Sequence, residues 1–452
     1  MAISKAMRFF LGLFLLLTML PVPASAQTVI RDTEIEEYMQ EWFAPIYAAA
    51  GMSPDQVNII LVQDSQINAF VAGGSNIFFY TGLLQKTSNP GEVIGVMAHE
   101  LGHITGGHLV RGREAMEQAS YESILGMIIG VGAAMASGDG GAAATIGAGT
   151  SSMAQRGFLK NTRTFESSAD QAALKYFDKA QMNPAGFETF LKKLEGQELL
   201  PESQQSEYVR SHPLTRSRID TVAARVDQSA ARDKAWPEKW TKQHKMMLAK
   251  LTGFITPQQV VWTYDDRDNS PEALTARTVA AYRMNQVDKA LKLSDQLLAT
   301  DPANPYFLEL KGQILMDFGR VKEAVPYYEK AVVKKPDAGL IRISLGHAQI
   351  ETAGNDPAKL DKAIENLKIA QRSEPRSTRV HRLLATAYGR KGDETRAKLH
   401  LAEEAVLQGK YDYAKSQANA ASQGLKQGSS DWIRANDIIN YVQTHKKRGR
   451  DS

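Results

Sequence analysis

The alternation of apolar and polar positions predicts a helix over Glu34 to Ala50 and then a strand, Val57 to Gln63. The run NAFVAGGSNIFFYTGLL, Asn68 to Leu84, sets Gly73 and Gly74 between two apolar, β-prone halves and so predicts a hairpin. Val93, Ile94, Val96, Met97, Leu101 and Ile104 make the segment from Gly91 to about Gly107 a helix with an apolar surface. Residues 124–149 are almost all small or aliphatic and turn at Gly138 to Gly141. Each apolar arm there is about a dozen residues, short of the roughly 20 that cross a bilayer. They predict a packed helical hairpin or lid, with shallow membrane contact as the alternative. Arg163 to Phe177 reads as an amphipathic helix through Phe165, Ala169, Ala172, Ala173 and Phe177.

Beyond about residue 271 the pattern repeats. Pro302 and Pro336, Gly312 and Gly346, and Ala290 and Ala324 are each 34 apart. Reading from Gly312, the packing positions are Ala324, Tyr328, Ala331 and Pro336. The next unit, Gly346, Ala363, Ala370 and Pro375, matches only with a five-residue inserted loop around Gly354 to Ala358. A further unit shows Ala385, Tyr388 and Ala397. Gly409, Tyr411 and Ala414 then recur after half a period, which predicts one helix serving two repeats. This spacing resembles tetratricopeptide (TPR) repeats, helix pairs that stack into a curved solenoid whose concave face binds partner proteins. Tyr306, Tyr327, Tyr328 and Arg342 are candidates to line that face. Residues 228–270, charged and carrying Trp236, Trp240 and Trp262, predict a packed connector helix.

Composition changes this picture at the two ends. With 43% hydrophobic and 23% charged residues among 452, the chain can build two or three domains. Its formal charge of +4 includes Lys5 and Arg8, which precede an apolar run from Phe9 to Leu20, two prolines and Ala24-Ser25-Ala26. That is the layout of a signal peptide cleaved after Ala26 and places the mature protein in the periplasm of a Gram-negative bacterium. The remaining near-neutral balance excludes nucleic acid as an electrostatic partner. No cysteine is present, so neither a disulfide framework nor a lipoprotein anchor is available. The basic end, His445 to Arg450, reads as a solvated tail, with contact to anionic lipid or lipopolysaccharide as the alternative.

The chemistry concentrates in VMAHELGHITGGH, Val96 to His108. His99 and His103, four apart on a helix, put two imidazoles on one face, where they can grip one Zn²⁺. Glu100 can reach a water at the metal without itself binding, take its proton during attack on a carbonyl, and pass it to the leaving amine. A third histidine of the HExxHxxGxxH type would fall at position 109, where Leu109 sits. On a continuing helix His108 points about 180° away from His99, so it reads as a helix-end or surface residue. The third ligand is then expected to be a carboxylate. Glu166 is the candidate, with Asp170 one turn on to accept a hydrogen bond from a ligating imidazole.

HELGH, FESSAD and the earlier NAF…GG…TGLL together resemble the HtpX-like and CAAX-prenyl-protease-like family of zinc metallopeptidases over about residues 30 to 225. The resemblance implies a zincin-type (gluzincin) fold with one zinc per chain. Its glutamate ligand, in an ExxxD helix, maps onto Glu166 with Asp170, and an HP…R segment maps onto SHPLTRSRI, His212 and Arg218. It implies that His212 lies near the zinc, as an oxyanion donor, a fourth ligand or a structural residue. The expected fold is mainly α with a small β-sheet: signal peptide 1–26, metallopeptidase domain 27–227, helical connector 228–270, α-solenoid of TPR-like repeats 271–445, basic tail 446–452. A secreted catalytic domain with such repeats resembles a branch of the family that degrades stalled or misfolded outer-membrane β-barrel proteins and assists their assembly. The implied partners are those clients and, through the repeats, the β-barrel assembly machinery, with peripheral membrane contact through 124–149 left open. The alternative is a chaperone or scaffold of outer-membrane assembly with only conditional peptidase activity.

Overall fold

The computed structural model describes residues 28–108 and 163–448; the leader, the 124–149 segment and the end of the basic tail lie outside the described residues. A four-stranded sheet and its helices come first. The strands are β1 (Thr28–Ile30), β2 (Asn58–Gln63), β3 (Ala69–Ala72) and β4 (Asn76–Tyr80), in the order β1-β2-β4-β3. β2 and β4 run parallel with Ile60 opposite Phe78, while β3 and β4 form the antiparallel hairpin with Phe70 opposite Phe78. Gly73 and Gly74 take φ of 58° and 96°, as the tight turn requires. The Asn76 amide closes it by donating to the carbonyls of Ala72 and Gly73, at 3.2 and 2.7 Å. Every residue of β4 is buried, so its apolar run is continuous rather than alternating.

Helix α1 (Thr33–Ala50) starts where the Asp32 side chain accepts from the Ile35 N–H and stops at Gly51, whose φ is 74°. It buries Ile35, Met39, Trp42, Phe43, Ile46 and Tyr47 in one core with the sheet. A short helix α2 (Thr81–Lys86) leads to α3 (Pro90–Thr105), capped by Asn89 and buried on all sides from Pro90 to Gly102. Apart from Glu92 and the residues of the site, its buried faces are apolar or small because neighbours surround it. Those neighbours are α4 (Arg163–Ala180) and α5 (Ala185–Leu194). The short α6 (Glu207–Ser211) and α7 (Arg216–Asp227) complete the layer.

Helix α8 (Glu238–Ile255) packs on α1 and on the first repeat helix, Pro271–Arg283. Trp236 and Trp240 lie half-buried against the core. Trp262 does not share in this packing, being 87% exposed. His244 ties α8 to the peptidase layer: Thr87 Oγ1 donates to the Leu84 carbonyl and so accepts from His244 Nε2–H at 2.8 Å. Burial, with Lys193 nearby, pulls the pKa of His244 down to about 4. The folded state therefore holds His244 neutral, and the stability this provides is complete above about pH 6.5 and lost as pH falls toward 4. Urea unfolding should show about 2 kcal/mol less stability at pH 5 than at pH 7 from this group. In His244→Gln, whose amide donates without titrating, that part of the loss should vanish.

The solenoid follows as helix pairs Pro271–Arg283/Val287–Thr300, Pro305–Asp317/Val321–Lys334, Gly339–Ala353/Pro357–Ser373 and Thr378–Arg390/Glu394–Leu407, then Tyr411–Gly424 and Ser430–Arg448. Ala290, Ala324, Ala331, Ala363 and Ala370 are fully buried between helices. Tyr328 is buried as well; a Cβ on Gly312 would lie 2.9 Å from its ring, so it packs its own pair and does not line a concave face. The five extra residues do not form a loop. Gly354 to Asp356 make a short turn, and both flanking helices are lengthened. Glu394–Leu407 packs against the helices before and after it, where the period slips. The last helix runs through Arg448, into the expected tail.

The solenoid is fastened to α1 by charge. Arg31 binds Glu36 at 2.8 Å and, 343 residues away, both oxygens of Glu374 at 2.7 and 2.9 Å. Tyr306 donates to Glu37 at 2.6 Å, Lys335 pairs with the same carboxylate, and Lys250 bridges Asp32 and Glu34. Tyr306 is thus committed to this junction rather than to a free concave surface. Arg342 is likewise engaged within the repeats, by Pro336 and Asn366. Tyr327 is half-buried, with the ammonium groups of Lys311 and Lys330 over its ring. No helix among the described residues is long and apolar enough to cross a membrane.

Candidate functional site: a metal centre

Helix α3 presents His99 and His103 one turn apart on one face, with their Nε2 atoms 3.1 Å apart. Helix α4 can bring Glu166 to them because Gly102 leaves room for its backbone. A Cβ there would lie 2.8 Å from the Ala169 carbonyl oxygen and 2.9 Å from its Cα. Glu166 Oε2 lies 3.3 Å from His99 Nε2 and Oε1 lies 3.4 Å from His103 Nε2. Tetrahedral donors about 2.1 Å from a zinc ion are about 3.4 Å from one another, so this spacing suits one. Two further observations support the fit. Two imidazole nitrogens touch where at most one proton can sit between them, and Glu166 Oε2, though 3.0 Å from the Arg218 guanidinium, is buried without a well-directed hydrogen bond. His99, His103, Glu166 and His212 together bring four donor atoms within 4.8 Å of one another.

Asp170 Oδ1 stands 2.9 Å from His99 Nδ1, which assigns the proton to Nδ1 and frees Nε2 to bind. Asp170 is gripped in turn by Arg218, through Nε and a terminal nitrogen at 2.8 Å each. The other terminal nitrogen of Arg218 reaches Glu166 Oε2 at 3.0 Å and donates to the Pro213 carbonyl at 2.8 Å. Arg218 thus aligns both carboxylates and the segment that carries His212. The sequence flagged Arg218 only through the HP…R resemblance, without this task.

Glu100 is 1% exposed, and its Oε1 lies 3.4 Å from His212 Nε2 without a hydrogen bond. Burial pushes its carboxyl up to about 8; His99 opposes the shift and Glu166 adds to it. His212 caps α6, with its ring 5.3 and 5.4 Å from those of His99 and His103 and stacked on Tyr208 at 4.6 Å. Burial pulls it down to about 3, so it is neutral and carries a free lone pair. Tyr208, four residues before His212, was missed in the sequence; its hydroxyl is buried without a hydrogen-bond partner among the described residues.

His108 is corrected. It is not at the surface but 7% exposed, with Nδ1 3.0 Å from His103 Nδ1 and its ring stacked on Phe165 at 4.6 Å. It faces the far side of the His103 ring and so can hold that ring in place.

Residues 30–226 match the model of peptidase family M48, and residues 276–339 match a tetratricopeptide repeat model. Over 430 residues, 93% of this chain, it is 25% identical to the beta-barrel assembly-enhancing protease of Yersinia pestis, covering 86% of that protein. Identity is 24% over the same length to the protein of that name from Escherichia coli K12, covering 85% of it. A putative beta-barrel assembly-enhancing protease of Vibrio cholerae is also 24% identical, with 87% covered. The helical layer around HELGH and the small sheet match peptidase family M48, the repeats that follow match tetratricopeptide repeats, and with the protease-named relatives they make the chain a metallopeptidase.

Proposed function

We propose that the protein is a periplasmic zinc endopeptidase that acts on misfolded or stalled outer-membrane β-barrel proteins and assists their assembly. The observation that carries the peptidase part is the convergence of His99, His103 and Glu166 beside a buried, unbonded Glu100. The client class rests on the names of the relatives.

In this reading His99, His103 and Glu166 hold one zinc, which when bound supplies a Lewis acid that polarises the scissile carbonyl and water. Glu100 accepts a proton from the attacking water and returns it to the leaving amine. Asp170 and Arg218 position the donors. His212 takes the fourth position in the resting enzyme, since its donor atom lies with the other three. β3, at the end of the sheet order, offers an edge along which an extended client can pair. The chain just before it is tied to α6, the helix that ends at His212: the Tyr208 N–H donates to the Ile67 carbonyl at 3.0 Å, and Asn68 donates to Glu207 at 3.0 Å. The repeats recruit clients and the assembly machinery.

The test is metal content of the purified mature protein beside Glu166→Ala. Zinc that the wild type retains through dialysis should be missing by one equivalent in the variant. Equal zinc in both would overturn the ligand assignment.

A further inference from the structure

We propose that the C-terminal repeats contain a second metal site, in which His381 Nδ1, His400 Nδ1 and Glu403 Oε2 bind one divalent ion of the zinc class. His381 lies on Thr378–Arg390, and His400 and Glu403 lie three apart on Glu394–Leu407. The two Nδ1 atoms are 3.4 Å apart, and each is 2.9 Å from the same carboxylate oxygen. His381 and His400 are 4% and 3% exposed.

The arrangement reproduces the physical signature of the first centre. Two imidazole nitrogens face each other, and a neighbouring carboxylate oxygen, Glu403 Oε2 here and Glu166 Oε2 there, is buried without a well-directed hydrogen bond. Two imidazole nitrogens and one carboxylate oxygen thus converge on a single point, as donors sharing an ion do. Here an arginine aligns the carboxylate from behind: Arg434 Nε donates to Glu403 Oε1 at 2.8 Å, leaving Oε2 to the histidines. The Tyr388 ring stacks nearly flat on His400, 8° from parallel at 5.6 Å, and walls one side. Two imidazole nitrogens and a carboxylate suit zinc and its first-row neighbours rather than calcium or magnesium, which take oxygen ligands.

The position gives the ion work to do. It would join the two helices of the fourth pair and, through Glu403 and Arg434, the last helix, where the 34-residue period slips. The apolar clusters there are small: Leu399, Ala421 and Ala435 in one, Ala405, Ala414 and Val442 in the other. A chain without cysteine cannot brace such a region with a disulfide.

The experiment uses the full mature chain. Zinc per chain should be two in the wild type and one in His400→Gln/Glu403→Gln, with peptidase activity unchanged in that variant. Wild-type zinc content in the double variant would overturn the proposal and leave a hydrogen-bonded His–Glu–His cluster. Because the double variant can fail to fold, a second measurement uses Glu166→Ala, stripped with a chelator and titrated with cobalt(II). One equivalent should develop a visible absorption band and raise the melting temperature. Absence of both would equally refute the second site.

Discussion

Glu100→Gln should lower kcat/KM on an unfolded protein substrate by about 10²–10⁴-fold while leaving metal content at the wild-type level. The carboxylate is not among the converging donors; its Oε1 lies 3.4 Å from His212 Nε2. Glutamine has the same shape and no charge to bury, and no hydrogen bond to Glu100 Oε1 exists to be broken. Thermal stability should therefore hold or rise, which separates a lost proton carrier from a collapsed site. Undiminished turnover with full metal loading would remove Glu100 from the chemistry. The same assay reads His212 by sign. If it fills the fourth position at rest, His212→Ala raises activity; if it donates to the oxyanion, activity falls about 10²–10³-fold. Expressed in cells with an outer-membrane assembly defect, Glu100→Gln also weighs scaffold against protease. Rescue without peptidase activity would make assistance by the repeats the main function.

What the sequence revealed about the site, and what it hid, follows from the range of each contact. His99, Glu100 and His103 are one helical turn, so spacing alone brings them together. Glu166 and Asp170, one turn apart on an amphipathic helix, were legible as candidates, but no spacing shows the close approach at Gly102 and Ala169 that joins their helix to the first. His108 misled through an assumption of continuity. Its face was projected along an unbroken helix, but the chain leaves the helix at Gly106, and Gly107, at φ 64°, turns His108 back onto His103. Tyr328 is buried, as its place among the packing positions of the repeat predicts, and the glycine one helix earlier receives its ring, so it is unavailable to the concave face for which it is also a candidate. The hairpin glycines were legible because a positive φ leaves few other choices. His381 and His400, nineteen residues apart on successive helices, form no motif, and only packing brings them together.

Arg218→Ala should be the most damaging single change for stability near the site. Its guanidinium is 6% exposed and faces two buried carboxylates, Asp170 at 2.8 Å twice and Glu166 at 3.0 Å, with the Pro213 carbonyl on the same terminal nitrogen. Truncation leaves both anions buried beside each other without a cation, a change that costs about 3–5 kcal/mol for a pair broken by loss of one partner. In a domain of this size that amounts to a fall in melting temperature of about 10 °C. Metal affinity should drop about 10–100-fold, because Asp170 no longer holds His99 and Pro213 no longer fixes His212. Arg218→Lys separates the two contributions. An ammonium restores a charge but cannot span both Asp170 oxygens and Glu166 at once, so stability should return in part while metal affinity stays low. Full recovery of both by lysine would show that only the charge mattered. A melting temperature within about 2 °C of wild type in Arg218→Ala would show that Asp170 and Glu166 are not held as a charged pair.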